Sequence, residues 1–283
     1  MTYDDVEFPV APAITLCGRH YRGGARTPVL CIHGLTRNAK DFVDLAPKIA
    51  AMGHDVIAVS LRGRNGSSYD PDYLNYHPQT YRDDVLKVLE MMNAPEAIFI
   101  GTSLGGIVTM LANEFAPARV KAAILNDVGP DLAPEGIARI AGYVGASADP
   151  AADLDEAAAR IKAINGVAFP DATEAEWIVF AERTFRQGED GRWVLDYDMN
   201  IAQALAELGP APDLWSAFES LKDTPTLVVR GALSDLLTPP IIDKMRAVHP
   251  AFQYTEVPRI GHAPMMTEPA AWNAVSAFLK TLD

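Results

Sequence analysis

The sequence is poor in the features that mark several classes of protein. Only two of its 283 residues are cysteines, Cys17 and Cys31, which is too few for a disulfide framework. No apolar run approaches the roughly 18 residues that a membrane-spanning helix needs. The first ten residues, MTYDDVEFPV, lack the basic start and the long apolar stretch of a secretory signal. We therefore expect a cytoplasmic protein without a membrane segment.

Basic residues are scarce as well. The chain has 24 Lys and Arg residues against 37 Asp and Glu residues, a formal net charge of −13. Nucleic acids and anionic membrane surfaces select basic patches, so neither is expected as a partner. The six histidines are scattered, and neither H-E-x-x-H nor C-x-x-C occurs. Without such a ligand cluster, we expect no metal site and no cofactor.

What the sequence does contain is an alternation of short apolar runs with longer amphipathic ones. The runs typical of buried strands are PVLCIHG (28–34), HDVIAVSLRG (54–63), AIFIGTS (97–103), VKAAILNDVG (120–129), TPTLVVRG (224–231) and FQYTEVPRIG (252–261). Nearly continuous Val, Ile and Leu indicate strands that are covered on both faces. ITLCGRHYR (14–22) alternates instead, which predicts an antiparallel edge strand. Together these patterns predict an α/β fold with a mostly parallel, doubly wound sheet of about eight strands.

The alternation stops between residues 130 and 213. This segment contains helix-compatible pieces and a single strand-like stretch, GRWVLDY (191–197). It also holds 16 acidic against 6 basic residues, which is most of the net charge of the chain. We predict a helical insertion at 130–213 after the sixth strand. It divides an α/β core into a first part, 1–129, and a second part, 214–283.

A serine stands at the junction of a predicted strand and a predicted helix. Residues 101–105 read Gly-Thr-Ser-Leu-Gly, a G-x-S-x-G pattern, between AIFI and the helical IVTMLANEFA (107–116). A sharp turn from strand to helix needs small neighbours, and it leaves the serine oxygen exposed at a helix N-terminus. The pattern predicts Ser103 as a nucleophile. A serine hydroxyl is a weak nucleophile until a base accepts its proton.

Two histidines follow predicted core strands closely enough to reach that serine. His262 lies in RIGHAPMM, directly after the last strand, where parallel sheets place their ligands. His33 lies in IHGLTR at the same edge, but the adjacent Gly34 favours a turn that offers main-chain N–H groups. We therefore predict His262 as the catalytic base.

Two aspartates are candidates for the carboxylate that orients this base. Asp235 lies in VVRGALSDLLTP, a few residues after a core strand. Asp127 lies in AILNDVGP, at the end of the preceding strand. We favour Asp235, because the order Ser, Asp, His along the chain is the one this template uses. Asp127 remains the alternative acid, or a residue that holds the hinge of the insertion.

These motifs together resemble the α/β-hydrolase superfamily over essentially the whole chain. The matching segments are HG at 33–34, GTSLGG at 101–106, ALSD at 232–235 and GHAP at 261–264. The resemblance implies an oxyanion hole made by the backbone N–H groups of Leu35 and Leu104, and a helical lid at about 130–213. Haloalkane dehalogenases and epoxide hydrolases of this fold carry an aspartate where this chain has Ser103. The resemblance is therefore to the branch with a serine nucleophile.

Three functions are compatible with this reading. The leading one is hydrolysis of a small carboxylic ester or lactone through an acyl-enzyme. The second is hydrolysis of a carbon–carbon bond in a ring-cleavage diketone by the same triad. The third, of another class, is a non-catalytic protein that binds a small molecule. Arg37 is a candidate ligand for a substrate carboxylate or a structurally paired arginine, and Met265 either lines the pocket or packs under the last helix.

Overall fold

The computed structural model describes residues 2–145, 149–207 and 213–282. Its strands are β1 (Asp4–Ala11), β2 (Ile14–Tyr21), β3 (Arg26–Ile32), β4 (His54–Val59), β5 (Ala97–Thr102), β6 (Val120–Asn126), β7 (Phe185–Gln187), β8 (Trp193–Leu195), β9 (Thr226–Gly231) and β10 (Gln253–Val257). Eight of them form one sheet in the spatial order β1-β2-β4-β3-β5-β6-β9-β10. Neighbouring strands from β4 to β10 are parallel to each other. β2 is antiparallel to both of its neighbours, β1 and β4. The predicted α/β fold with an eight-stranded, mostly parallel sheet is confirmed.

The edge of the sheet differs from the prediction in one respect. β2 is antiparallel, as its alternating pattern indicates, but it is the second strand and not the edge. The edge is β1, whose sequence DDVEFPVA has one buried residue and four exposed ones. Charged residues and a proline are typical of an edge strand, since they discourage pairing with further chains. The same residues hide the strand from a search for apolar runs.

Helices cover both faces of the sheet. They are α1 (Ala46–Ala50), α2 (Pro78–Met91), α3 (Leu104–Phe115), α4 (Pro134–Tyr143), α5 (Leu154–Asn165), α6 (Glu174–Thr184), α7 (Asn200–Glu207), α8 (Trp215–Glu219), α9 (Pro239–Val248) and α10 (Pro269–Lys280). The apolar run of β3 is continuous because successive residues pack against helices on opposite faces of the sheet. Leu30 and Ile32 pack into the cluster with α2 and α3, whereas Val29 and Cys31 pack into the cluster with α1 and α10. No helix in the described ranges is long and apolar enough to cross a membrane.

The segment between β6 and α8 stands apart from this alternation. It contains α4 to α7 and the two-stranded hairpin of β7 and β8. Phe169, Trp177 and Phe180 meet in an aromatic cluster with ring centroids 5.9–6.2 Å apart. These rings and the buried side chains of α5 and α6 form a separate small core. We call residues 130–213 the inserted segment.

Candidate active site

Ser103 lies at the turn that joins β5 to α3. Its backbone has φ 53° and ψ −116°, in the left-handed region, and its amide donates to the Asn126 carbonyl at 3.0 Å. Two glycines make the turn possible. A Cβ on Gly105 would lie 2.1 Å from the carbonyl oxygen of Ile32, and one on Gly101 would lie 2.2 Å from that of Gly105. The helix therefore passes the strands too closely for any side chain at these positions.

His262 reaches this serine from the loop after β10. Its Nε2 lies 2.9 Å from Ser103 Oγ. The loop is held by Asn126, whose side-chain amide donates to the Pro264 carbonyl at 2.7 Å and to Thr102 Oγ1 at 3.0 Å. One buried amide therefore joins the ends of β5 and β6 to the histidine loop. The serine and the histidine predicted from the sequence are brought together by the fold.

Asp127, directly after β6, is the carboxylate that contacts this histidine. Its Oδ2 lies 2.8 Å from His262 Nδ1. The carboxylate also accepts hydrogen bonds from the Gly231 amide at 2.8 Å and from Ser234 Oγ at 2.6 Å. The residue is fully buried. Three donors compensate for the burial of this charge and fix its direction.

The position of Asp235 corrects the expectation for the acid. Its carboxylate forms a two-pronged ion pair with Arg139 of α4, at 2.6 and 2.8 Å, rather than a hydrogen bond to His262. The Arg139 guanidinium holds the pKa of Asp235 below its usual value, and His262 adds a smaller contribution in the same direction. Asp235 thus lies near the histidine but is directed towards the inserted segment. The loop after β9 contributes Ser234 to the site instead.

The amides expected to form an oxyanion hole lie on either side of Ser103. Leu104 is the first residue of α3 and follows the serine directly. Leu35 lies in the turn after β3, where a Cβ built on Gly34 would lie 3.7 Å from Ser103 Cβ. Within the described ranges, no hydrogen bond is formed by either amide. Their role towards a substrate remains a prediction.

A cavity of about 530 Å³ opens onto the serine and the histidine. Most of its wall is apolar or aromatic, and much of the wall comes from the inserted segment. The contributing residues of that segment include Ile140, Tyr143, Ile161, Ile164, Phe169 and Phe180. Such a cavity suits a small molecule with an apolar body.

Both proposed substrate-binding residues, Arg37 and Met265, lie on the wall of this cavity. The guanidinium of Arg37 is already engaged. Its Nε donates to Asp41 at 2.9 Å, its Nη1 donates to Thr184, and the group lies 4.1 Å over the Phe180 ring. The structure therefore favours the interpretation of Arg37 as a paired arginine.

Asn126 and Ser234 belong to the site but were missed by the sequence analysis. A signal was present for each of them. Asn126 adjoins Asp127 at the end of a predicted strand, and Ser234 adjoins Asp235 in the ALSD segment. Polar residues at the carboxyl ends of parallel strands are candidates for the same site. Among the described residues, no group of three or more His, Cys, Asp or Glu side chains is arranged to hold a metal ion.

Comparison with known proteins places the chain in a family. Residues 29–275 match the model of the alpha/beta hydrolase family. The chain is 32% identical to the 3-hydroxybutyrate-oligomer hydrolase of Cupriavidus necator, over 86% of this chain and 84% of that protein. It is 25% identical to the 2-(acetamidomethylene)succinate hydrolase of Mesorhizobium japonicum, over 90% of each.

A solved structure agrees with these sequence relatives. An alpha/beta hydrolase from Novosphingobium aromaticivorans superposes with a TM-score of 0.93 at 39% identity, covering 99% of both chains. The sequence relatives are named as hydrolases, and the family model and the solved structure both match most of this chain. This protein belongs to the alpha/beta hydrolase family and is a hydrolase.

Proposed function

We propose that the protein is a serine hydrolase that cleaves a small, uncharged carboxylic ester through an acyl-enzyme. Ser103 is the nucleophile, His262 the general base and Asp127 the orienting acid. The observation that carries the proposal is the continuous chain of hydrogen bonds between them, 2.9 Å from serine to histidine and 2.8 Å from histidine to aspartate. This arrangement matches the roles of the serine triad.

The first half of the reaction forms the acyl-enzyme. His262 Nε2 accepts the Ser103 proton while Oγ attacks the ester carbonyl carbon. Asp127 accepts a hydrogen bond from Nδ1–H, which leaves Nε2 free as the acceptor and stabilises the imidazolium that forms. His262 then gives the proton to the leaving alcohol as the carbon–oxygen bond breaks.

Hydrolysis of the acyl-enzyme repeats these roles with water. His262 accepts a proton from the water that attacks the acyl carbon, and returns it to Ser103 Oγ as the carboxylic acid leaves. In both halves, the amides of Leu35 and Leu104 stabilise the negative oxygen of the tetrahedral intermediate. The loss of one such donor typically lowers the rate by about 10²- to 10³-fold.

The cavity wall supports an uncharged substrate. The two arginines that line it are both paired with carboxylates, Arg37 with Asp41 and Arg160 with Glu156. Among the described lining residues, none is a cation free to bind a substrate carboxylate. The inserted segment is the proposed lid, since its apolar side chains form much of the wall around the serine.

An ester link within a hydroxy-acid oligomer is a specific candidate for the bond that is cleaved. The relative from Cupriavidus necator is a hydrolase of 3-hydroxybutyrate oligomers, and this chain matches most of its length. Such an oligomer has uncharged ester links along its chain, which suit the apolar wall, and one charged carboxylate at its end, which we propose stays outside the cavity. Hydrolysis of a carbon–carbon bond is the alternative, and only product analysis separates it, because it would use the same three residues.

Labelling with a fluorophosphonate tests the proposal. We expect covalent label on Ser103 by peptide mapping and no label on a Ser103→Ala variant. Enzyme that has not been treated with the label is then assayed with p-nitrophenyl esters, lactones, 3-hydroxybutyrate dimers and a ring-cleavage diketone. Absence of label on the folded wild-type protein would overturn the catalytic proposal and favour a binding protein of the same fold. Activity on the diketone alone would replace the ester by the carbon–carbon alternative.

A further inference from the structure

Arg64 is the largest fully buried side chain in the described part of the protein. Two of its nitrogens, Nε and Nη2, donate to the same acceptor, the carbonyl oxygen of Leu35, at 3.1 and 2.8 Å. Its Nη1 donates to the Arg62 carbonyl at 2.6 Å and to Tyr81 Oη at 2.8 Å. Every partner is uncharged.

The neighbouring arginine shows how unusual this is. Arg62 is also buried, but it is paired with two carboxylates, those of Asp70 and Asp84. Among the described residues, no carboxylate forms an ion pair with Arg64. A buried charge is normally paired with an opposite charge, because desolvation opposes its burial. The chain therefore keeps a positive charge directly behind the Leu35 turn that is compensated only by neutral acceptors and by the rings of Tyr76 and Tyr81, whose centroids lie 5.8 and 4.9 Å from the guanidinium carbon.

A second group, His33, holds the same turn from the other side. Its Nε2 accepts a hydrogen bond from the Leu61 amide at 2.9 Å, so Nδ1 carries the proton and donates to the Gly34 carbonyl at 2.7 Å. Burial, with a smaller contribution from Arg64, lowers the pKa of His33 to about 3. The imidazole is therefore neutral near pH 7, and this tautomer is maintained.

The two contacts act on the two peptide groups that flank the Leu35 α-carbon. The Leu35 N–H belongs to the peptide whose carbonyl, that of Gly34, is held by His33. The next peptide, with the Leu35 carbonyl, is held by Arg64. Because a peptide group is planar, the Leu35 N–H points opposite to the Gly34 carbonyl, which His33 and the Arg37 amide hold. Arg64 holds the following peptide plane, so the backbone is anchored on both sides of the Leu35 α-carbon.

We propose that Arg64 is a positioning residue for the oxyanion hole. It anchors the peptide plane on the carbonyl side of Leu35, which keeps the turn that presents the Leu35 amide in place, and its buried charge adds a favourable field where the negative oxygen develops. Donors that are preorganised in a buried site need no reorientation during the reaction. The proposal rests on the serine mechanism above, but it concerns a residue that does not touch the substrate.

Three variants test the proposal. Arg64→Met keeps an aliphatic stem but removes all three donating nitrogens and the charge, and Arg64→Lys keeps the charge with a single donor group. Arg119→Met is the matched control, since Arg119 also donates to a main-chain carbonyl, that of Ala94 at 2.9 Å, far from the serine. We expect kcat to fall about 10²-fold in Arg64→Met and about tenfold in Arg64→Lys, in line with the loss of an oxyanion donor. KM should stay within about twofold, because ground-state binding is untouched.

Affinity for a trifluoromethyl ketone, which forms a charged tetrahedral adduct on serine, should fall by the same factor as kcat/KM. A general loss of structure would instead reduce the active fraction, which titration with fluorophosphonate measures. Equal kcat and equal ketone affinity in wild type and Arg64→Met would overturn the proposal while leaving the serine mechanism intact.

Hydrogen exchange separates failure of this proposal from failure of the proposed function. We expect faster amide exchange in the peptide containing residues 33–37 of Arg64→Met, and no change there in Arg119→Met. This readout does not depend on catalysis. Failure of the fluorophosphonate to label folded wild-type protein would overturn the serine mechanism. Unchanged amide exchange in Arg64→Met would overturn the positioning role alone.

Discussion

Asp127 and His262 are joined by a 2.8 Å hydrogen bond between Oδ2 and Nδ1, across 135 residues of sequence. The aspartate follows β6 and the histidine follows β10, so the contact closes over the end of β9, which lies between them in the sheet. Asp235, after β9, is nearer along the sheet but faces Arg139. The carboxylate that contacts the histidine is thus Asp127, whereas Asp235 is ion-paired with Arg139 of the inserted segment.

Substitution of each aspartate by asparagine tests this assignment. We expect Asp127→Asn to lower kcat by about 10³- to 10⁴-fold, because an amide favours the wrong histidine tautomer. Asp235→Asn should change kcat by less than about tenfold, since its partner is Arg139 and not the histidine. The measurement is kcat on the best ester of the panel, with circular dichroism as the control for folding. A large loss in Asp235→Asn with a small one in Asp127→Asn would reverse the assignment.

The sequence could not make this choice. Both aspartates lie between Ser103 and His262 along the chain, so the order Ser, Asp, His does not distinguish them. Both also follow parallel strands, so both were correctly expected at the same edge of the sheet. The contact that distinguishes them is the ion pair between Arg139 and Asp235, 96 residues apart. Such pairing depends on how the inserted segment packs, which no local pattern specifies.

Local patterns were sufficient where short-range physics dominates. The turn at Ser103 could be predicted because the spacing of two glycines reflects direct contact between strand and helix. The buried strands could be predicted because their two faces are both covered. The edge strand β1 was missed, because its charged residues, which discourage pairing with another chain, interrupt the apolar pattern used to find strands.

Two glycine substitutions should have opposite effects on stability. Gly105→Ala places a Cβ 2.1 Å from a main-chain oxygen, whereas at Gly142 in α4 nothing lies within 4 Å of the added atom. We expect Gly105→Ala to lower the free energy of unfolding by at least about 3 kcal/mol, because the backbone itself must move. Gly142→Ala should raise it by about 0.5–1 kcal/mol through helix propensity.

Urea unfolding of both variants measures these changes, and Gly142→Ala serves as the control for the added methyl group. If Gly105→Ala were as stable as the wild type, α3 could not approach the end of β3 as closely as the structure shows. The rest of the site would then need to be reconsidered, since Ser103 is positioned by that packing.

Protonation of His33 should make stability depend on pH. The pKa of this histidine is lowered to about 3 in the folded protein, from 6.5 when unperturbed. Between these values the unfolded chain binds the additional proton, so stability falls as the pH falls. The contribution of this one residue is about 1.4 kcal/mol per pH unit below pH 6.5.

A His33→Gln variant removes this contribution. We expect it to be less stable than the wild type at pH 7.5, and the difference between the two proteins to shrink as the pH is lowered from 6.5 to 5. The measurement is the free energy of unfolding in urea at several pH values. Parallel pH curves for the two proteins would show that His33 is accessible to protons in the folded state.

Removal of the Asp41 carboxylate that pairs with Arg37 should change the substrate preference of the cavity. Asp41 neutralises this arginine at the wall, so Asp41→Asn leaves a cation beside the serine. We expect kcat/KM for p-nitrophenyl hemisuccinate to rise about tenfold relative to p-nitrophenyl butyrate, because the freed fork can bind the substrate carboxylate. Asp44→Asn is the control, since Asp44 pairs with Arg183 and does not line this cavity. An unchanged ratio in Asp41→Asn would show that Arg37 does not reach the bound acyl group, and the preference for uncharged esters would then have to arise from the apolar wall alone.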